Sequence, residues 1–137
     1  MKTFKFLLFV LAAIALQLSC SSQGNNTDAE LKAGNEDEVK VYYFHFERRC
    51  VTCKTIESVT QEAIKEMYSG VVPFKAVNLD DEEGKEISEE IGVSSQSLLI
   101  IKGDTRIDIT AEAFMNATSK PEELKRILKE KIDPLLW

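Results

Sequence analysis

The stretch Phe44-His-Phe-Glu-Arg-Arg-Cys-Val-Thr-Cys-Lys-Thr-Ile-Glu57 changes period in its middle, and that change decides the fold. Upstream, Val39-Lys-Val-Tyr-Tyr-Phe-His-Phe46 is rich in β-branched and aromatic residues. Its second half is apolar on both faces apart from His45, the pattern of a central strand covered on both sides. Downstream, Ile56, Val59, Ala63, Ile64 and Met67 follow helical spacing, and Gly70 closes the helix. Cys50 and Cys53 fall at the junction. By spacing alone they are a redox pair, half of a metal site or a structural staple.

The rest of the chain continues the alternation. Val71 to Leu79 reads as a second strand with Pro73 near its start. Asp80 to Glu83 opens a short acidic helix, with Ile87 and Ile91 inward and Gly92 as its stop. Leu98-Leu-Ile-Ile101 is a third strand. Lys102 to Thr105 is a turn, and Arg106 to Thr110 alternates as a fourth strand, so these two form an antiparallel hairpin. Residues 111–118 read as a connection. Ser119-Lys-Pro-Glu-Glu caps a last helix running through Leu124, Ile127, Leu128 and Ile132. The predicted order is β-α-β-α-β-β-α. Tyr42, Tyr43, Phe44, Phe46 and Trp137 are expected to pack in the core.

The first segment does not belong to that fold. Met1 to Lys5 is short and basic, Phe6 to Leu18 is almost wholly apolar, and Ser19-Cys20 follows. Residues 1–19 read as a secretory signal. Cys20 resembles the lipidated cysteine of a bacterial lipoprotein, with Gln17 where a Leu is usual. Lipidation of Cys20 explains the odd cysteine of three and leaves Cys50 and Cys53 as a pair. Residues 20–38 are polar and Gly/Asn-rich and read as a flexible tether. Residues 39–137 are the folded domain. Without the leader the chain keeps 15 basic and 23 acidic side chains, a net charge of −8. That excludes nucleic acid as a partner and leaves acyl chains as the means of membrane attachment. The expected location is the periplasm or cell envelope, where a cysteine pair persists oxidised.

The order of elements, with C-x-x-C between the first strand and first helix, resembles the thioredoxin fold over about residues 39–133. "CVTCK" is similar to the family's C-x-x-C-K. "VNLDDEEGKEISEEIGV" is similar to its second strand, acidic loop and short helix, and "SLLIIKGD" to its third strand and turn. The resemblance implies an α/β fold with a mixed four-stranded sheet flanked by helices, and a redox-active disulfide with no other cofactor. Three positions depart from the family pattern. Arg49 stands where an aromatic precedes the first cysteine. Phe44 stands where a buried acid accepts protons. Ser97 stands where a cis-proline packs against the disulfide.

The thiolate is the nucleophile of disulfide exchange. Cys50, at a helix N-terminus behind Arg48 and Arg49, is expected to have the lower pKa and to attack the substrate disulfide. Cys53, one turn inside, resolves the mixed disulfide. Val51 and Thr52 tune the potential, and Gln96 and Ser97 are expected to support the pair. A structural disulfide closing so small a loop removes little unfolded-chain entropy. The expected function is a membrane-tethered, exported thiol–disulfide oxidoreductase acting on protein or small-molecule disulfides. The alternative is a non-enzymatic thioredoxin-like protein that binds a partner or a soft metal (copper or zinc) through Cys50, Cys53 and His45. Glu47 is expected to be a solvated loop acid.

Overall fold

The computed structural model describes residues 37–137. The expected signal, Cys20 and nearly all of the tether lie outside the described residues. The elements are β1 (Lys40–His45), α1 (Val51–Tyr68), β2 (Phe74–Asn78), α2 (Glu82–Ile91), β3 (Ser97–Lys102), β4 (Thr105–Asp108), α3 (Thr110–Asn116) and α4 (Pro121–Ile132). A single 3-10 turn, Asp133–Leu135, follows. Among the described residues no helix is long and apolar enough to cross a membrane.

The sheet is mixed, in the order β2-β1-β3-β4. The all-but-continuous apolar run of β1 is explained by its central place. It pairs parallel with β2 and antiparallel with β3, and residues 41–45 are all buried. Alternate residues then serve two separate layers. Val41 and Tyr43, with Leu98 and Ile100 opposite them on β3, join the core built with Ile56, Ile64, Leu124 and Leu128 of α1 and α4. Tyr42 and Phe44, their rings stacked with centroids 5.9 Å apart, point to the other face. Val77 shares that face, because it pairs with Phe44 in register.

α2 covers that second face through a close backbone approach. Asp81 caps the helix, its Oδ1 accepting from Gly84 N at 2.6 Å, and Glu82 and Glu83 fill the first turn. A Cβ on Gly84 would stand 1.7 Å from the Asn78 carbonyl oxygen, so only glycine fits there. The buried positions of α2 are Gly84 and Ser88, while Ile87 and Ile91 are half-buried rather than fully inward. Gly92 ends the helix in the left-handed region at φ 73°, as its sequence position predicts.

Several expectations are corrected. Residues 111–118 are mostly helical, so the order is β-α-β-α-β-β-α-α. The turn into α3 is held by Asp108, whose Oδ1 accepts from Thr110 N at 2.9 Å. Only Ala113 and Ala117 are buried along α3, and two small side chains leave no visible hydrophobic period. Ser119 does not cap α4; its hydroxyl donates to Met115 O at 3.2 Å, at the end of α3. Lys120 is the N-cap residue and Pro121 opens the helix. Phe46 is 41% exposed because β1 stops at His45, and Trp137 is 97% exposed, beyond Leu135 and Leu136, which take the packing positions.

Candidate active site

The site forms where β1 gives way to α1. Cys50 is the N-cap residue of α1, with extended backbone at φ −75° and ψ 171°. Its carbonyl accepts the first helical bond from Lys54 N at 3.2 Å. Its Sγ accepts from Cys53 N at 3.4 Å, taking the place that a Ser or Asp oxygen usually fills. The first turn holds no acidic residue, so the free amides and the positive end of the helix face the sulfur unopposed.

The two cysteines are unlinked, with Cys50 exposed and Cys53 buried. Their sulfurs lie 2.7 Å apart, and either thiol can donate to the other. Burial pushes the Cys53 thiol up, but hydrogen bonds from Cys50, from Gln96 and from backbone amides outweigh it and hold Cys53 below its ordinary value.

The residues behind the pair differ from those expected. Phe44 faces away from the cysteines, on the α2 side of the sheet, paired with Ser97 of β3. Ser97 is therefore also on the far face, and its hydroxyl donates to Ser95 O at 2.9 Å. The residues turned to the α1 side of the sheet are their neighbours. Tyr43, fully buried, points its phenol at this end of the sheet, and Gln96 Nε2 donates to Tyr43 Oη at 2.5 Å. Burial above all, with the nearby Cys53 and Cys50, pushes the Tyr43 phenol up to about 12, against the lowering effects of Gln96 and Arg49. Tyr43 therefore stays neutral at ordinary pH and does not act as the base that a buried acid would supply. No cis peptide bond occurs among the described residues.

Arg49 is not free to serve Cys50 alone. Its Nη1 pairs with Glu57 Oε2, and both side chains are about a quarter exposed. Arg48 is exposed, Val51 is 77% exposed beside Cys50, and Thr52 is half-buried. Glu47 is exposed as expected, and its amide donates to Asp80 Oδ2 at 2.7 Å, tying the loop before the cysteines to the β2–α2 turn.

His45 is not brought to the pair as a third ligand. It is buried, its Nδ1 lies 3.0 Å from Phe46 O, and its ring sits tilted beside Tyr43. Among the described residues no three His, Cys, Asp or Glu side chains gather as a metal site. Sequence reasoning missed Tyr43 and Glu57. Both had a signal: Tyr43 shares the parity of Val41 on β1, and Glu57 follows Cys53 by four residues on one helix face.

No family model matches the chain, and no curated protein matches it. Solved structures do. Oxidised thioredoxin O2 from Arabidopsis thaliana is 21% identical, with a TM-score of 0.50, covering 69% of this chain and 75% of that one. Thioredoxin f2 from Chlamydomonas reinhardtii is 19% identical, with a TM-score of 0.48, covering 71% of this chain and 82% of that one. The likeness to thioredoxin O2 extends to the fold.

Proposed function

The chain has a thioredoxin-like fold, and on that premise we propose that it is a thiol–disulfide oxidoreductase working through Cys50 and Cys53. The observation that carries this reading is an exposed Cys50 sulfur capping a helix, with the buried Cys53 sulfur 2.7 Å behind it. An exposed thiolate attacks, and a buried neighbour within reach resolves. In the reducing direction, Cys50 Sγ attacks one sulfur of the substrate disulfide. A Cys50–substrate disulfide forms, and the other substrate sulfur leaves as a thiolate that takes a proton from water. Cys53 then gives up its proton and attacks Cys50 Sγ. The Cys50–Cys53 bond forms, the bond from Cys50 to substrate breaks, and the second substrate thiol is released.

The fold supports a protein disulfide as the partner class. The leader and Cys20 support an exported chain, lipid-anchored at the cell envelope. Neither Tyr43 nor Glu57 supplies the buried strand carboxylate expected of the family, so the proton from Cys53 goes to water.

The test is a redox titration of the reduced chain against glutathione or dithiothreitol, with insulin reduction as the activity assay. A reversible two-electron couple, lost in Cys50→Ser and in Cys53→Ser, is expected. Absence of that couple, or insulin left intact by the reduced protein, overturns the reading. Mass spectrometry of the native N-terminus tests the lipid on Cys20.

A further inference from the structure

The end of the domain opposite the cysteines carries an assignment of its own, resting on the lipid-anchored reading above. β1 runs toward Cys50, so its first residue, Lys40, lies at the far end. There Lys40 pairs with Ile101 near the close of β3, and Val41 N donates to Pro73 O at 2.9 Å just before β2. The close of α1 is at the same end. Tyr68 Oη donates to Asp133 Oδ1 at 2.8 Å, and Lys102 Nζ donates to Leu135 O at 2.6 Å. The chain therefore enters the fold between residues 69–71 and residues 133–137. Each of these segments holds an exposed large apolar side chain, Val71 at 67% and Trp137 at 97%. The charges around them are largely matched. Lys40 pairs with Glu38, Lys129 with Asp133, and Lys102 is held by a carbonyl. This end is nearly neutral on a chain of strong negative charge.

The segment ahead of Lys40 says what covers these side chains. Cys20, the expected anchor, stands 17 residues before Asp37, a stretch that spans at most about 60 Å. A bilayer holding that cysteine lies within that distance of this end. An indole has an apolar body and a polar N–H, and such side chains settle at the boundary between lipid and water. We propose that Val71 and Trp137 dock the domain on the lipid surface to which Cys20 anchors the chain. Two apolar side chains bind a bilayer weakly, but a short tether keeps them at roughly millimolar effective concentration. α1, 18 residues long, spans about 27 Å. A domain docked in this way holds Cys50 a helix length from the bilayer, facing partners in water rather than lipid.

Trp137 is the only tryptophan of the chain, so its fluorescence reads the docking directly. Residues 20–137 with Cys50→Ser and Cys53→Ser keep Cys20 as the sole thiol. That thiol is coupled to maleimide-headgroup lipid in phosphatidylcholine vesicles, which installs the anchor chemically. The emission is expected to shift to the blue relative to the same chain capped with N-ethylmaleimide. Vesicles with brominated acyl chains are expected to quench most of it. Val71→Glu is expected to weaken docking about tenfold, the loss of one buried Val side chain, and the quenching falls with it. Emission that stays unshifted and unquenched in the coupled chain overturns the proposal, as does quenching unmoved by Val71→Glu. A blue shift that appears without vesicles and grows with protein concentration assigns this end to a second copy and overturns it too. Native Cys20 found without lipid strikes the anchored reading instead, while the vesicle result still decides the docking surface.

Discussion

Glu57→Gln is expected to make the cysteine pair more reactive. In the structure, Arg49 Nη1 rests against Glu57 Oε2, so the guanidinium just before Cys50 is matched by a carboxylate. Glu57 lies four residues after Cys53, which places their Cβ atoms about 5–6 Å apart on one helix face. Removing the carboxylate charge leaves Arg49 uncompensated, a change of one positive unit near the sulfurs. At about 6 Å that unit is worth about 2.8 kcal/mol at an effective dielectric of 20 and about 0.7 kcal/mol in bulk water. Both side chains are about a quarter exposed, so solvent screening favours the lower part of that range. We take about 1 kcal/mol, which is roughly a fivefold rise in thiolate population at fixed pH. The assay is iodoacetamide alkylation of reduced Cys20→Ser protein, with and without Glu57→Gln, at a pH below the thiol titration. The gain should shrink as salt rises from about 0.01 M to about 1 M, where the Debye length falls from roughly 30 Å to roughly 3 Å. An alkylation rate that is unchanged or slower in the variant refutes the electrostatic account of the Arg49–Glu57 pair.

Three further outcomes are expected. Thr60 is fully buried on α1, and its hydroxyl has no hydrogen-bond partner; Thr60→Val keeps the shape, removes the unpaired group and should add about 1 kcal/mol in urea unfolding, and a loss of stability contradicts this. Gly84→Ala forces a methyl to within 1.7 Å of Asn78 O and 2.6 Å of Asn78 C, both backbone atoms, so α2 must move off β2. It should lower the unfolding free energy by roughly 3 kcal/mol, and a change under about 1 kcal/mol refutes the close approach. Burial raises the Tyr43 phenol from 10.0 to about 12, so the stability it contributes is full below pH 10 and lost as pH rises through 12. Tyr43→Phe should therefore flatten the alkaline fall in stability over that window, and an identical fall in both proteins argues against a buried neutral phenol.

The legible parts of the sequence are those where period and punctuation agree. β1 announces its central place by being apolar on both faces, and α1 by its spaced Ile56, Ala63 and Ile64. α2 is bracketed by Asp81 and Gly92, whose capping chemistry is local. α3 was hidden because its buried stripe is two alanines, which carry no amphipathic signal. The site was legible at the cysteines and obscured one residue away from them. Counting back from Cys50 points to Phe44, but the side chain that faces the pair depends on the loop length between β1 and α1. One residue of difference exchanges faces, and Tyr43 is the residue turned inward. The same parity on β3 exchanges Ser97 for Gln96. The Arg49–Glu57 pairing needs the path of the loop as well as the helix, and the sequence supplies only the helix.

The central strand also divides the molecule into two compartments for heritable change. Tyr43 and its hydrogen-bond partner Gln96 lie on the α1 side, while Tyr42, Phe44 and Leu99 look toward α2 through a wall of backbone. Substitutions on the α2 side change how firmly the domain holds together without touching the sulfurs. The chain is thus free to trade stability on one side of its sheet while the setting of its two cysteines is inherited intact on the other.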